Sequence, residues 1–176
     1  MSWLKEHIRT VPDFPLKGIK FRDMTTLFQN AEAFRRTVDE LVGHYESQQF
    51  DKIVGIEARG FVMGGLMAYQ MNAGFVPIRK ADKLPYETRT QSYSKEYGTD
   101  YLELHVDGVG PGERVLLVDD LIATGGTAEA AISLIRAGGA IVEDTCFIVD
   151  LPGLGGADLV RGLGCKLTAL TQFDGA

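Results

Sequence analysis

The sequence predicts an α/β fold: a mainly parallel, twisted sheet flanked by helices, with a small N-terminal hood. Three observations predict it. Short apolar, strand-like runs alternate with helical runs of about 12 residues, the pattern of right-handed βαβ crossovers. The run of greatest strand character, Arg114–Asp120, leads through a glycine-containing turn into a helical run. The first thirty residues fit no βαβ unit and hold several apolar-flanked turns, which suits a flap lying over the sheet.

Composition fits this. The 176 residues are 45% hydrophobic and 24% charged, enough for one domain over 1–176 with a substantial core. No repeat or linker divides them. A net charge of −6 argues against a nucleic-acid partner, because affinity for phosphate backbones comes mainly from Lys and Arg. No apolar stretch approaches the ~20 residues of a membrane span, and the N-terminus lacks a secretory core. Cys146 and Cys165 form no CxxC pair. The expectation is a soluble, cytoplasmic protein without a membrane partner. Glycine is the outlier, at 21 residues, and suggests tight turns or close backbone approach to a ligand.

In chain order, Asn30 caps a helix in which Phe34, Val38, Leu41, Val42 and Tyr45 keep helical spacing. Residues 52–57 read as a buried strand, Gly60–Met71 as a helix, and 74–79 as a strand. Residues 80–94 are polar and nearly free of aliphatics, so a mobile loop is expected, extending to 98. Residues 101–106 alternate like a half-exposed strand, and 108–112 form a turn. After the strand at 114–120 and the helix at 127–137 come a strand at 140–149, a glycine-rich turn and a last strand at 166–173.

The chemistry concentrates in VLLVDDLIATGGT, residues 115–127. A buried strand ends in two adjacent carboxylates, Asp119 and Asp120, and Ala123, Thr124, Gly125, Gly126 and Thr127 then open a helix. Open α/β sheets bind ligands at the carboxyl ends of their strands. Free amides at a helix N-terminus, with glycines permitting close approach, form an anion site to which the threonine hydroxyls add donors. Carboxylates accept hydrogen bonds from paired hydroxyls and can hold magnesium directly or through water. Phosphate and vicinal diol together describe a ribose 5-phosphate. Other nucleotide and hydrolase motifs are missing: there is no GxxxxGK[ST], GxSxG or HExxH. GVGPG at 108–112 precedes a strand and is a turn, and His7, His44 and His105 are scattered.

This segment resembles the ribose-phosphate motif of the type I phosphoribosyltransferases. Further blocks are similar to the adenine-using members of that family, in the family's order: Phe21-Arg22-Asp23 preceded by Lys20, Glu57-Ala58-Arg59-Gly60-Phe61, residues 78–85, and 93–98. Tyr86 stands where relatives often carry glycine, Ala58 where some have serine, and Lys20 where some have valine. The resemblance implies Mg²⁺-dependent transfer of a phosphoribosyl group from 5-phosphoribosyl 1-pyrophosphate (PRPP) to adenine, giving AMP and pyrophosphate in purine salvage. It also implies a homodimer, with some loop cations reaching the neighbouring site.

On that resemblance, Asp119, Asp120 and residues 123–127 hold the ribose 5-phosphate, and the two acids hold Mg²⁺ through water. Ala58, Arg59 and Gly60 hold pyrophosphate, with Arg79, Lys80 and Lys83 completing a positive clamp. Lys20, Phe21, Arg22 and Leu121 bind adenine: Phe21 and Leu121 sandwich the ring, and the Arg22 backbone reads its edge. Glu96 is the candidate acid/base, with Arg59 beside it in catalysis, and Tyr97 covers the site as part of the lid. Two alternatives stay open: transfer to a 6-oxopurine or orotate, and a non-catalytic PRPP sensor.

Overall fold

Alternation along the central strands sets the layers of the molecule, because successive side chains in a strand point to opposite faces. The computed structural model describes residues 2–94 and 98–174. In chain order the elements are α1 (Ser2–Glu6), β1 (Arg9–Pro12), β2 (Lys20–Asp23), α2 (Thr25–Gln29), α3 (Ala31–Gly43), β3 (Lys52–Ile56) and α4 (Arg59–Gln70). There follow β4 (Gly74–Lys80), β5 (Thr88–Ser94), β6 (Thr99–His105), β7 (Arg114–Ile122), α5 (Gly126–Ala137), β8 (Ile141–Asp150), α6 (Gly156–Gly162) and β9 (Lys166–Gln172).

The main sheet has the order β5-β6-β4-β3-β7-β8-β9. From β4 through β9 the neighbours run parallel, while β6 and β5 are antiparallel additions at one edge. Ile53, Leu116 and Val118 face one core layer with Leu27, Leu41, Met63 and Met67. Val54, Val115 and Leu117 face the other, with Ile132, Ile135 and Val160. Helices α2 to α4 therefore cover one face, and α5 with α6 the other. The Asn30 cap forms as expected, its side chain accepting the Ala33 amide at 2.9 Å. No helix among the described residues is long and apolar enough to cross a membrane.

Two expectations need correction. Residues 88–94, read as part of a mobile loop, are a strand, paired with β6 from Thr88↔His105 to Ser94↔Thr99. The hairpin lies at the sheet edge with polar residues on both faces, so the strand lacks the aliphatic alternation that sequence patterning detects. The glycine-rich turn after β8 contains α6. Its glycines at both ends mask a helix of barely two turns.

The N-terminal hood is real. β1 and β2 form an antiparallel pair with Val11↔Phe21 and Thr10↔Arg22 in register. Arg22 is buried: its guanidinium lies 4.3 Å from the centre of the Phe173 ring and donates to Thr10 Oγ1 and to the Asp174 carbonyl. That pins the hood to the end of β9. Asp23 closes the hood's other end, accepting from the Thr25 hydroxyl at 2.6 Å, the Thr25 amide at 2.9 Å and Arg9 Nη2 at 2.6 Å. The Thr25 hydroxyl and then Arg9 hold its carboxyl down, from 3.8 to about 2. A depressed acid stabilises the fold above its unfolded value and loses that contribution as pH falls toward its folded value. Asp23→Asn should therefore lower the Tm at neutral pH and flatten the fall of Tm between pH 4 and about 2, as followed by circular dichroism.

Candidate active site

The carboxyl ends of β3 and β7 open onto a cavity of about 330 Å³. Its walls come from both strand ends and the two loops that follow them: Glu57, Ala58 and Arg59 after β3, and Asp119 to Gly125 with Thr127 at the end of β7. Lys80, Tyr93, Ala128 and Phe147 complete the lining. The peptide joining Glu57 to Ala58 is cis.

Two helices begin at this cavity. α5 starts after Gly125, whose φ of +87° lies in the left-handed region that glycine adopts without strain. No side chain caps α5, so its first-turn amides, which lack intrahelical partners by geometry, are open to an anion. Gly156 buttresses the loop from behind, its amide donating to the Ala123 carbonyl at 2.9 Å. A Cβ on Gly156 would meet that carbonyl oxygen at 2.3 Å, so the support exists only because this residue has no side chain. Helix α4 approaches just as closely. A Cβ on Gly60 would meet the Val118 carbonyl at 2.8 Å and Asp119 Oδ1 at 3.0 Å.

Charge at the centre is tightly held. Asp120 is 3% exposed, and its Oδ2 lies 2.7 Å from Arg59 Nε. The Asp120 amide donates to Asp119 Oδ1 at 2.9 Å. Burial and then the charge of Asp120 push the Asp119 carboxyl well above the ordinary carboxylate range. Burial raises Asp120 too, with Arg59 opposing it. Glu57 behaves differently. Burial acts to raise it, but hydrogen bonds from Arg79 and the Lys80 amide hold it below its usual value.

The expected residues are largely brought together. Ala58, Arg59, Lys80, Asp119, Asp120, Leu121, Ala123, Thr124, Gly125 and Thr127 line the one cavity, and Gly60 and Gly126 stand in the first turns of its two helices. Phe21 joins them from the hood, with the Arg59 guanidinium 5.4 Å from its ring centre. Arg79 and Lys83 stay outside the lining. Arg79 is engaged by Glu57, at 3.2 and 3.3 Å, and by the Lys83 carbonyl at 3.1 Å. Lys20 is exposed on the hood, and the Arg22 side chain turns toward Phe173. Glu96 and Tyr97 lie outside the described residues.

Sequence reasoning missed the Glu57 side chain, Phe147 and Tyr93. Glu57 had a signal, a carboxylate at a strand end that opens the Glu57–Phe61 block. Phe147 sits within a uniformly apolar strand and had none. Among the described residues no three His, Cys, Asp or Glu side chains gather as an enclosed metal site. Two adjacent carboxylates suit a magnesium ion that keeps its waters and shares itself with substrate oxygens.

Fold and cavity define an α/β protein in which an acid pair and an uncapped helix start share one cavity at the carboxyl edge of the sheet. The phosphoribosyl transferase domain family matches residues 24–153, and the chain belongs to that family. Relatives of the adenine branch match it over nearly its whole length. An adenine phosphoribosyltransferase of Bradyrhizobium sp. (strain ORS 278) is 59% identical over 172 residues, covering 98% of this chain and 96% of the relative. The crystal structure of adenine phosphoribosyltransferase from Rhodothermus marinus is 45% identical with a TM-score of 0.92, covering 98% of this chain and 97% of that one. The Saccharomyces cerevisiae adenine phosphoribosyltransferase structure, complexed with an imino-altritol bisphosphate and adenine, is 36% identical with a TM-score of 0.89 and covers 96% and 97%.

Close packing of α4 on β7 yields a direct test. Gly60→Ala should cost about 1–3 kcal/mol of stability by overpacking, read as a lower midpoint in urea unfolding.

Proposed function

We propose that the protein transfers the 5-phosphoribosyl group of PRPP to adenine, forming AMP and pyrophosphate. One observation carries this reading: the twin acids of β7 and the uncapped start of α5 share a cavity, with Phe21 of the hood beside it. The adenine phosphoribosyltransferases it resembles over nearly their whole length give the base.

The 5′-phosphate sits on the amides and hydroxyls of residues 123–127, and the ribose hydroxyls donate to Asp119 and Asp120. Arg59 and Lys80 face the diphosphate; a planar fork of donors suits such a group. The adenine ring lies between Phe21 and Leu121, and the Arg22 peptide reads its amino edge. As the bond from the anomeric carbon to pyrophosphate breaks, positive charge grows on the sugar and negative charge on the leaving group. The ring nitrogen bonds to that carbon and gives up its proton, for which Glu96 is the acceptor. Catalysis then depends on alignment and on cations already fixed where negative charge develops. Tyr97 belongs to the cover over the site. Mg²⁺ would be held by Asp119 and Asp120, largely through water, and would neutralise charge on pyrophosphate.

A homodimer completes the reading. Helix α4 buries Met63 and Met67 on one side and leaves Val62, Leu66 and Tyr69 exposed on the other, near exposed Phe75. A helix apolar all round calls for a cover on its second face, and a second copy supplies one. Arg79 and Lys83, outside the cavity of their own chain, are then candidates to serve the neighbouring site.

Pyrophosphate release from PRPP with adenine, hypoxanthine or orotate is the direct test. Turnover with adenine alone is expected. Tight PRPP binding without turnover would favour a sensor. Asp120→Asn should raise the KM for PRPP about 10- to 100-fold, the worth of a charge-assisted hydrogen bond. Glu96→Gln should lower kcat about 100-fold with KM nearly unchanged, and near-full turnover in that variant would remove Glu96 from the acid/base step.

A further inference from the structure

We infer that the Arg59–Asp120 pair makes the sugar site selective for ligands that carry a diphosphate. The inference rests on the reading of the site just given. Asp120 is 3% exposed, and Arg59 Nε lies 2.7 Å from its Oδ2 as an ion pair outside hydrogen-bond geometry, so the charge of the carboxylate read as meeting sugar hydroxyls is already balanced by a cation of the same chain while that oxygen still lacks a hydrogen-bond donor. Arg59 is further held over the Phe21 ring, 5.4 Å from its centre.

A buried carboxylate beside a second one cannot lose its counter-charge cheaply. A sugar phosphate without a diphosphate offers Asp120 only neutral hydroxyls. To bind fully it must displace Arg59 and leave that guanidinium without an anion. A diphosphate gives Arg59 a bidentate partner of higher charge in exchange. The site therefore opens to PRPP, or to a sugar phosphate accompanied by pyrophosphate, and disfavours ribose 5-phosphate alone. By linkage, pyrophosphate and the sugar phosphate tighten each other's binding by the same factor.

Loss of Arg59 has effects of opposite sign on the two ligand types. In Arg59→Gln, hydroxyl donors of the sugar replace the missing guanidinium at Asp120. Calorimetric titration at fixed Mg²⁺ should show ribose 5-phosphate binding roughly three- to tenfold tighter than in the wild type, and PRPP at least about tenfold weaker. A residue that merely binds diphosphate would leave ribose 5-phosphate affinity unchanged. Unchanged or weaker binding of ribose 5-phosphate to a folded Arg59→Gln protein overturns the inference. The wild type supplies a second measurement if that variant does not fold: inorganic pyrophosphate should tighten ribose 5-phosphate binding several-fold, and independent binding of the two overturns the inference equally. Wild-type turnover with PRPP and adenine separates the two levels. Turnover combined with a negative titration rejects the selectivity alone, and no turnover rejects the functional reading beneath it.

Discussion

Two neighbouring carboxylates at the buried end of β7 are the constraint around which the site is built. Adjacent acids repel each other, and Asp120 is nearly withdrawn from water, so the fold must surround them with compensation. It does so with the Arg59 guanidinium, the amide of Asp120 and the start of α4, brought to Asp119 because Gly60 has no side chain. The same crowding that makes the acids costly places a cation and two helix N-termini around one cavity. Structure and binding capacity share one cause.

The hood answers a different requirement. The sheet presents its own loops at the cavity, but an aromatic surface beside them has to be brought from elsewhere in the chain. β1 and β2 bring Phe21, and they are fixed by contacts made outside the cavity: Arg22 on Phe173 and Asp174, and Asp23 on Thr25 and Arg9. Residues next to each other in sequence therefore divide the work. Phe21 lies beside Arg59, which lines the cavity, while Arg22 and Asp23 fix the hood that carries it.

Glu57 shows how a neighbouring carboxylate can organise cations without entering the acid pair. It takes up Arg79 and the Lys80 amide, which keeps Arg79 out of the cavity while Lys80 lines it. A sequence reading that grouped Arg79, Lys80 and Lys83 as one clamp treated three like charges as equivalent. The partners available to each side chain separate them.

The sequence by itself determined the alternating architecture, the strand that carries Asp119 and Asp120 near its end, though it runs on to Ile122, and the glycine loop that opens a helix. These are local properties: hydrophobic period, helix caps and backbone freedom are encoded within a dozen residues. The polar strand 88–94 was invisible because its partner, β6, stabilises it through backbone hydrogen bonds that leave no side-chain period. Tertiary structure alone decided that Arg59 rests on Asp120, that Glu57 removes Arg79 from the cavity, and that Gly156 supports the loop at Ala123. Each joins residues some 20 to 60 positions apart in the chain, and only the packing of strands and helices brings such charges within reach of one another.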